Sequence, residues 1–394
     1  MEIFSVATVR EEEVKLALYV HDLKLEIGHS NSLIELIRHL PAEALDSVEE
    51  LEVVSFTTAP PDSLFPQLSG RLRWVKVPFA GMRPVLLKSI FFQLWTFLYN
   101  RLFQKKRVLR IGIGISCLDV NAVSVQFIHH QWTERGLQME SDSGGRLFYK
   151  KILFSYFEAC ENFLFSKKGL KVFSPAKFLT KFFTSSYDGI QAQTIYSGVN
   201  LARFELGDRS KQEILETLLP KYPVLAKLDV GLPIFIFVGA YERKGLADAL
   251  DLLKDKPGSQ FIVIGSPSTG RSVTWPSHLK IFPITFTKEV SSFYELADTF
   301  IFPTLYEPFG LVLFEAMAMG LKIITRKNEV GASELLDGLP EVFFSDIPGF
   351  IFPETRVSGV REKRQLRDQR LALLGDVSWT KAGGELSKFL DLQS

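Results

Sequence analysis

From residue 234 onward the chain alternates. Short apolar runs at 234–238, 261–264, 299–302 and 322–325 are separated by helix-like stretches near 246–253, 289–297, 311–319 and 330–336. Strand and helix in alternation imply a parallel sheet covered on both faces. Right-handed crossovers then place every loop that leaves a strand's carboxyl end on one edge, and open α/β sheets bind ligands at that edge. The first half repeats the pattern less cleanly. It has strand-like runs at 14–20, 51–56, 72–77, 109–115, 124–128 and 171–174, and helix-like runs at 30–40, 86–104, 146–165 and 174–183. A chain of 394 residues is long enough for two such domains.

The edge loops carry the residues with chemistry. Arg243, Lys244 and Gly245 directly follow the run at 234–238. Cations oppose the dipole at a helix start, so they point to a phosphate more than to a simple helix cap. The run at 299–302 leads through Glu307 to a turn at Gly310 and a helix bearing Glu315, with seven residues between the two carboxylates. Backbone N–H groups around Phe309, Gly310, Leu311 and Val312 suit a phosphate at that helix start. Glu315 can accept sugar hydroxyls, or can merely favour the helix dipole. In the first half, Gly28 either lets a phosphate approach the backbone or is a turn glycine. His129 and His130 follow the run at 124–128. Two neighbours on an extended chain point to opposite sides, so one faces the site, and His129 is preferred. No third ligand for a metal accompanies them. His21 and Asp22, in the loop before Gly28, are candidates for acceptor contacts alongside His130.

Four further segments accompany the Glu307–Glu315 pair: Tyr196-Ser197-Gly198-Val199-Asn200-Leu201-Ala202-Arg203-Phe204, Phe237-Val238-Gly239-Ala240-Tyr241-Glu242-Arg243-Lys244-Gly245, the FIVIG run at 261–265, and Gly331-Ala332-Ser333-Glu334. Together with the E-x7-E unit they resemble the retaining glycosyltransferases of the GT-B fold, family 4. The likeness covers roughly residues 170–337 well and the first 130 in outline. Ala240 departs from the Arg common in that family, and Asn200 from its Asp. The resemblance implies two doubly wound Rossmann-like domains facing each other across a cleft: an acceptor domain at 1–195, a nucleotide-sugar domain at 196–375, and a helix at 376–394 returning to the first. Ser378-Trp379-Thr380-Lys381-Ala382 resembles the start of that helix. It further implies that Lys244 and Arg243 hold the donor diphosphate, Glu315 holds the ribose, Glu307 faces the transferred sugar, and His129 lies close to it. No metal and no cofactor are expected. On the same fold, a polymer-forming glycan synthase and a non-catalytic binding protein are the alternatives. A phosphorylase is disfavoured by the lack of a pyridoxal-lysine motif.

Charge is distributed unevenly. Between Asp62 and Asp119 there is no acidic residue, while Arg71, Arg73, Lys76, Arg83, Lys88, Arg101, Lys105, Lys106, Arg107 and Arg110 fall inside the interval. Residues 86–110 join Phe, Leu and Trp to a basic end. That composition suits an anionic membrane surface, against the alternative of a core helix with a basic turn. No nucleic-acid motif accompanies it. Residues 354–375 are charge-rich and read as a solvated helix. Cys117 and Cys160 are isolated thiols, which fits a reducing compartment. Residues 1–13 lack the pattern of a signal peptide. The expected location is cytoplasmic, peripheral on the inner face of the plasma membrane, with a glycan or lipid-linked acceptor.

Overall fold

The computed structural model describes residues 14–25, 27–58, 61–104, 108–138, 144–256, 258–267 and 273–392. Residues 1–13 and the basic run Lys105, Lys106, Arg107 lie outside the described residues.

Apolar runs buried on both faces become the middle of each sheet. In the first unit these are β1 (Val14–Tyr19), β2 (Asp22–Leu23), β3 (Val48–Ser55), β4 (Thr57–Thr58), β5 (Leu72–Lys76), β6 (Val108–Ile113), β7 (Ala122–Ser124), β8 (Lys171–Ser174) and β9 (Gln191–Thr194). Seven of them form one sheet in the order β5-β3-β1-β6-β7-β8-β9, and β2 pairs with β4 beside it. All pairings are parallel. The second unit holds β10 (Ile234–Val238), β11 (Gln260–Ile264), β12 (Lys280–Ile284), β13 (Thr299–Phe302), β14 (Lys322–Thr325) and β15 (Val342–Phe344), in the order β12-β11-β10-β13-β14-β15. In both sheets the strand order reverses beside the first strand, at β1/β6 and at β10/β13. Such a reversal opens a crevice between the outgoing loops.

One unit comprises residues 1–196 with 379–394, and the other 197–378. The closing helix, Trp379–Leu390, packs on the helix Gly28–Arg38 of the first unit. The second core is built on Phe235, Phe237, Phe261, Ile301 and Ile324, all essentially inaccessible.

Several local expectations shift. The run read as 124–128 leaves the sheet after Ser124. The helix read as 330–336 spans only Ser333–Leu336, because Val330 forms a parallel bridge with Glu307. Strands β9, β12 and β15 had no strand-like signal, and β12 contains Pro283. Among the described residues it pairs only with β11, so a residue without an N–H is tolerated there.

The charge-rich segment forms the helix Val360–Asp376, and it is not simply solvated. Lys363 and Arg370 are buried. Lys363 Nζ donates to the carbonyls of Glu295 (2.6 Å), Tyr294 (3.4 Å) and Ala297, closing the carboxyl end of the helix Val290–Leu296. Arg370 donates to the carbonyls of Leu321 (2.7 Å), Pro340 (2.7 Å) and Glu341 (3.2 Å). Burial pulls Lys363 down to about 7 and Arg370 to about 10. Orphan carbonyls at a helix end need donors, and Lys363 supplies one.

Part of the acid-free interval is paired in space. Arg73 pairs with Glu52 at 2.6 Å, Lys88 with Asp22 at 3.5 Å, and Arg110 with Asp119 at 3.4 Å. Arg71 donates to the carbonyls of Leu45 and Val48.

Helix docking in the first unit rests on a close approach. A methyl group at Gly383 would lie 1.9 Å from the carbonyl oxygen of His39, whereas one at Gly384 meets open space. Gly383→Ala is expected to cost about 1–3 kcal/mol through overpacking. Gly384→Ala should add up to about 1 kcal/mol through helix propensity. Denaturant titrations of the two variants check this, and similar effects from both would contradict the docking.

Candidate functional site

The second unit gathers the sequence candidates at its switch point. β10 and β13 are neighbours, so the loops leaving their carboxyl ends meet. The Arg243 carbonyl accepts from Thr304 Oγ1 and from the Leu305 N–H, both at 3.1 Å, and Arg243 Nη1 donates to the Tyr306 carbonyl at 3.2 Å. The next residue, Glu307, is held on both sides by main chain: its N–H donates to Glu329 at 2.8 Å and its carbonyl accepts from Gly331 at 2.9 Å. Ala332 donates to the Phe309 carbonyl at 2.9 Å. The Gly331–Glu334 segment thus fastens the Glu307 loop from the far side.

Side chains follow from this fastening. Lys244 Nζ makes an ion pair with Glu307 Oε2, and Arg243 Nη1 stands 3.7 Å from the same oxygen. Lys244 Nζ also lies over the Phe302 ring, 5.0 Å from its centre. Burial, and then the Arg243 charge, push the Lys244 amine well below the usual lysine range. Burial likewise lowers Arg243. Glu307 is the counter-charge facing both. Two cations held beside each other in a partly dry loop are poised for an anion carrying more charge than one carboxylate.

Gly310 takes a left-handed conformation, φ +100°, and opens the helix Leu311–Ala318. A side chain there would be strained and would press on Leu313 and Glu307. No side chain caps that helix start and no acid sits in its first turn. Leu311 and Val312 are half-buried, and Phe309 is buried against Phe314 with ring centres 5.0 Å apart. Phe309 therefore offers main chain rather than its ring. Glu315 lies in the second turn, not at the helix start expected from sequence, so dipole stabilisation is a weak account of it. Burial pushes its carboxyl up to about 7, with Arg203 and the Tyr294 hydroxyl acting in the other direction.

In the first unit, Gly28 begins the helix Gly28–Arg38 just past β1 and β2, exposed and with open space around its Cα. His129 and His130 open the helix His129–Gln138. His129 is half-buried and His130 is exposed. Glu161 accepts from the His129 N–H at 2.7 Å and the His130 N–H at 3.1 Å, and its Oε1 lies 2.8 Å from His129 Nδ1. His21 packs between Phe56 and Phe92, and burial pulls it down to about 4. Asp22 accepts from Thr57 Oγ1 and faces Lys88.

Sequence reasoning passed over Tyr294, Arg203, Lys88 and Glu161. Arg203 lay inside a quoted motif, so its signal was available. Glu161 had none, since it reaches His129 from 32 residues away.

The pattern of the family described as "Glycosyl transferases group 1" matches residues 232–363. Alpha-monoglucosyldiacylglycerol synthase of Acholeplasma laidlawii is 28% identical over 179 residues, 43% of this chain and 44% of that protein. D-inositol 3-phosphate glycosyltransferase 2 of Catenulispora acidiphila is 27% identical over 174 residues, 38% of this chain and 37% of that protein. The chain thus spans less than half the length of these relatives. Among solved structures, WaaG, a glycosyltransferase involved in lipopolysaccharide biosynthesis, superposes with a TM-score of 0.61 at 14% identity, covering 96% of each chain. HepE of Anabaena in complex with UDP-glucose gives 0.53 at 12% identity, covering 96% of this chain and 95% of that one. These likenesses establish the fold, which is GT-B.

The Glu315 environment has a pH consequence. Its folded-state value of about 7 lies above the ordinary 4.5. The folded protein therefore holds this proton more tightly than the unfolded chain, and the associated stability is lost as pH rises from about 4.5 to 7. Glu315→Gln should gain stability relative to the natural protein at pH 8 compared with pH 5. Urea titrations at both pH values check this, and an unchanged difference would mean that Glu315 does not titrate in that window.

Proposed function

We propose that this GT-B protein is a retaining, metal-independent glycosyltransferase that moves a sugar from a nucleotide-sugar to a lipid or lipid-linked glycan acceptor. The observation that carries the reading is the Lys244–Arg243–Glu307 charge group at the β10/β13 switch point, on the loop that leads through Gly310 into the uncapped start of Leu311–Ala318, the helix that bears Glu315. In the unliganded protein Glu307 balances the two cations. A diphosphate replaces it as their counter-ion, and the N–H groups of Leu311 and Val312 add to its binding. Glu307 is then released to face the sugar, where a carboxylate stabilises positive charge on the ring or holds a hydroxyl. Glu315 accepts hydrogen bonds from the ribose.

In the reaction, negative charge grows on the departing diphosphate, and Lys244 and Arg243 stabilise it as a metal would elsewhere. The acceptor hydroxyl attacks from the face the leaving group vacates, with the departing phosphate taking its proton. The activities of two similar proteins, an alpha-monoglucosyldiacylglycerol synthase and a glycosyltransferase of lipopolysaccharide biosynthesis, support a lipid-anchored acceptor.

A thermal-shift panel of UDP-, GDP- and ADP-sugars identifies the donor: at a hundred times its Kd a ligand stabilises by about 2.7 kcal/mol. With that donor, transfer is expected to persist in excess EDTA. Lys244→Ala should lower kcat by about a hundredfold or more. A Lys244→Ala protein with undiminished kcat would refute the site, and EDTA inhibition reversed by magnesium would refute the metal-free chemistry.

The acceptor reading also rests on an unusual surface. The helix Val85–Phe103 turns Ser89, Gln93, Thr96 and Asn100 inward, yet Leu94, Leu98, Leu102 and Phe103 stand 57–72% exposed. The apolar face of a helix is ordinarily the buried one. The helix Gly145–Phe165 runs beside it, joined through Leu86–Tyr149 and Gln93–Tyr156 contacts, and exposes Phe148 and Phe163 with Lys151. Arg101 lies over the exposed Phe97. Among the described residues no helix is long and apolar enough to cross a membrane, so this face suits lying on one. Sedimentation with phosphatidylglycerol vesicles should recover the protein at low salt, less so at high salt. Leu98→Ser with Leu102→Ser should abolish recovery. Equal recovery on phosphatidylcholine would remove the anionic part of the reading, and no recovery on either would remove the membrane.

A further inference from the structure

We propose that Glu161 is a positioning residue that holds His129 with its proton on Nδ1, so that Nε2 offers an open lone pair to a substrate hydroxyl. The inference rests on the glycosyl-transfer reading and adds to it a residue that no motif contains.

Glu161 lies in the helix Gly145–Phe165 and is only 3% exposed. Three donors converge on its carboxylate. Oε1 accepts from the His129 N–H at 2.7 Å and lies 2.8 Å from His129 Nδ1, while Oε2 accepts from the His130 N–H at 3.1 Å. An ionised carboxylate can only accept, so Nδ1 carries the hydrogen and, in the neutral ring, Nε2 does not. The ring's plane is fixed as well, between Phe157 at 4.8 Å and Phe127 at 5.3 Å.

A plain helix cap would explain part of this. Carboxylates commonly accept from the first N–H groups of a helix and favour its dipole. Capping does not require the histidine ring to close on the same oxygen, and it does not distinguish His129 from His130. Glu161 does distinguish them: it takes main chain from both but ring nitrogen from His129 alone. The partner of one ring nitrogen sets what the other presents, and such supporting contacts govern a histidine's reactivity as much as its own position does.

Long-range nitrogen–proton NMR of the His129 ring in the natural protein reads the tautomer without any variant. The expected signature is Nδ1–H with an unprotonated Nε2 near pH 8; an Nε2–H ring overturns the proposal. Glu161→Gln places an amide among three donors and should mix the tautomers. It should lower kcat at least about tenfold with the donor KM within about twofold. In a His129→Ala background the same substitution should leave the residual kcat unchanged. An equal fold-loss in both backgrounds would make Glu161 a helix cap and nothing more. If the natural protein transfers no sugar at all, the functional reading fails on its own, and the NMR signature still decides the tautomer.

Discussion

Two loops that leave adjacent strands are fastened to each other before any ligand is considered. The Arg243 carbonyl takes hydrogen bonds from Thr304 and Leu305, the Arg243 guanidinium returns one to Tyr306, and Glu307 is clasped by Glu329 and Gly331. This main-chain stitching sets Lys244 against Glu307. An ammonium removed from water needs a counter-charge, and Glu307 supplies it. The pairing leaves neither buried charge alone. Glu315, a turn further along the helix, sits where burial, partly opposed by Arg203 and the Tyr294 hydroxyl, leaves its carboxyl raised to about 7. Tyr294 and Arg203 beside it keep the site polar enough to ionise.

The rest of the second unit keeps this crevice rigid from the opposite side. Asp298, just before β13, accepts from the Ile234 N–H at 2.9 Å, the Ser358 N–H at 2.7 Å and Lys211 Nζ at 2.5 Å. It thereby joins the starts of β10 and β13 to the chain entering the helix Val360–Asp376. Lys363 and Arg370 of that helix close orphan carbonyls around β13 and β14. These charges satisfy backbone groups, and removing one would leave its backbone partners short of a hydrogen bond. The two strands whose loops form the crevice are therefore held at both ends.

Legibility from sequence tracked the range of the forces involved. β10, β11, β13 and β14 were readable because a strand buried on both faces is a short apolar run, and that is a local property. The Arg243–Lys244 and Glu307–Glu315 groups were readable because each lies on the loop, or the helix opened by the loop, that directly follows such a strand. β12 was not, since an edge strand needs neither continuous apolarity nor every N–H, and KIFPI carries both exceptions. The Val360–Asp376 helix is largely solvated as expected, but its buried cations, Lys363 and Arg370, were not legible because they answer carbonyls that are 29–69 residues away in the chain. The acid-free interval suggested a large basic patch, yet Glu52, Asp22 and Asp119 come from both sides of it to neutralise Arg73, Lys88 and Arg110.

By itself the sequence determined the alternation of strand and helix, hence parallel sheets and a common edge for the loops, and it placed Lys244, Glu307 and Glu315 on that edge. These follow from periodicity and chain direction, which any stretch of ten or twenty residues records. Only the tertiary structure decided that Lys244 and Glu307 touch, that Glu315 sits in the second turn beside Tyr294, and that Glu161 rather than a neighbour orients His129. Each of those depends on which distant groups share a few ångströms of low-dielectric space, and proximity of that kind has no signature in the order of residues along the chain.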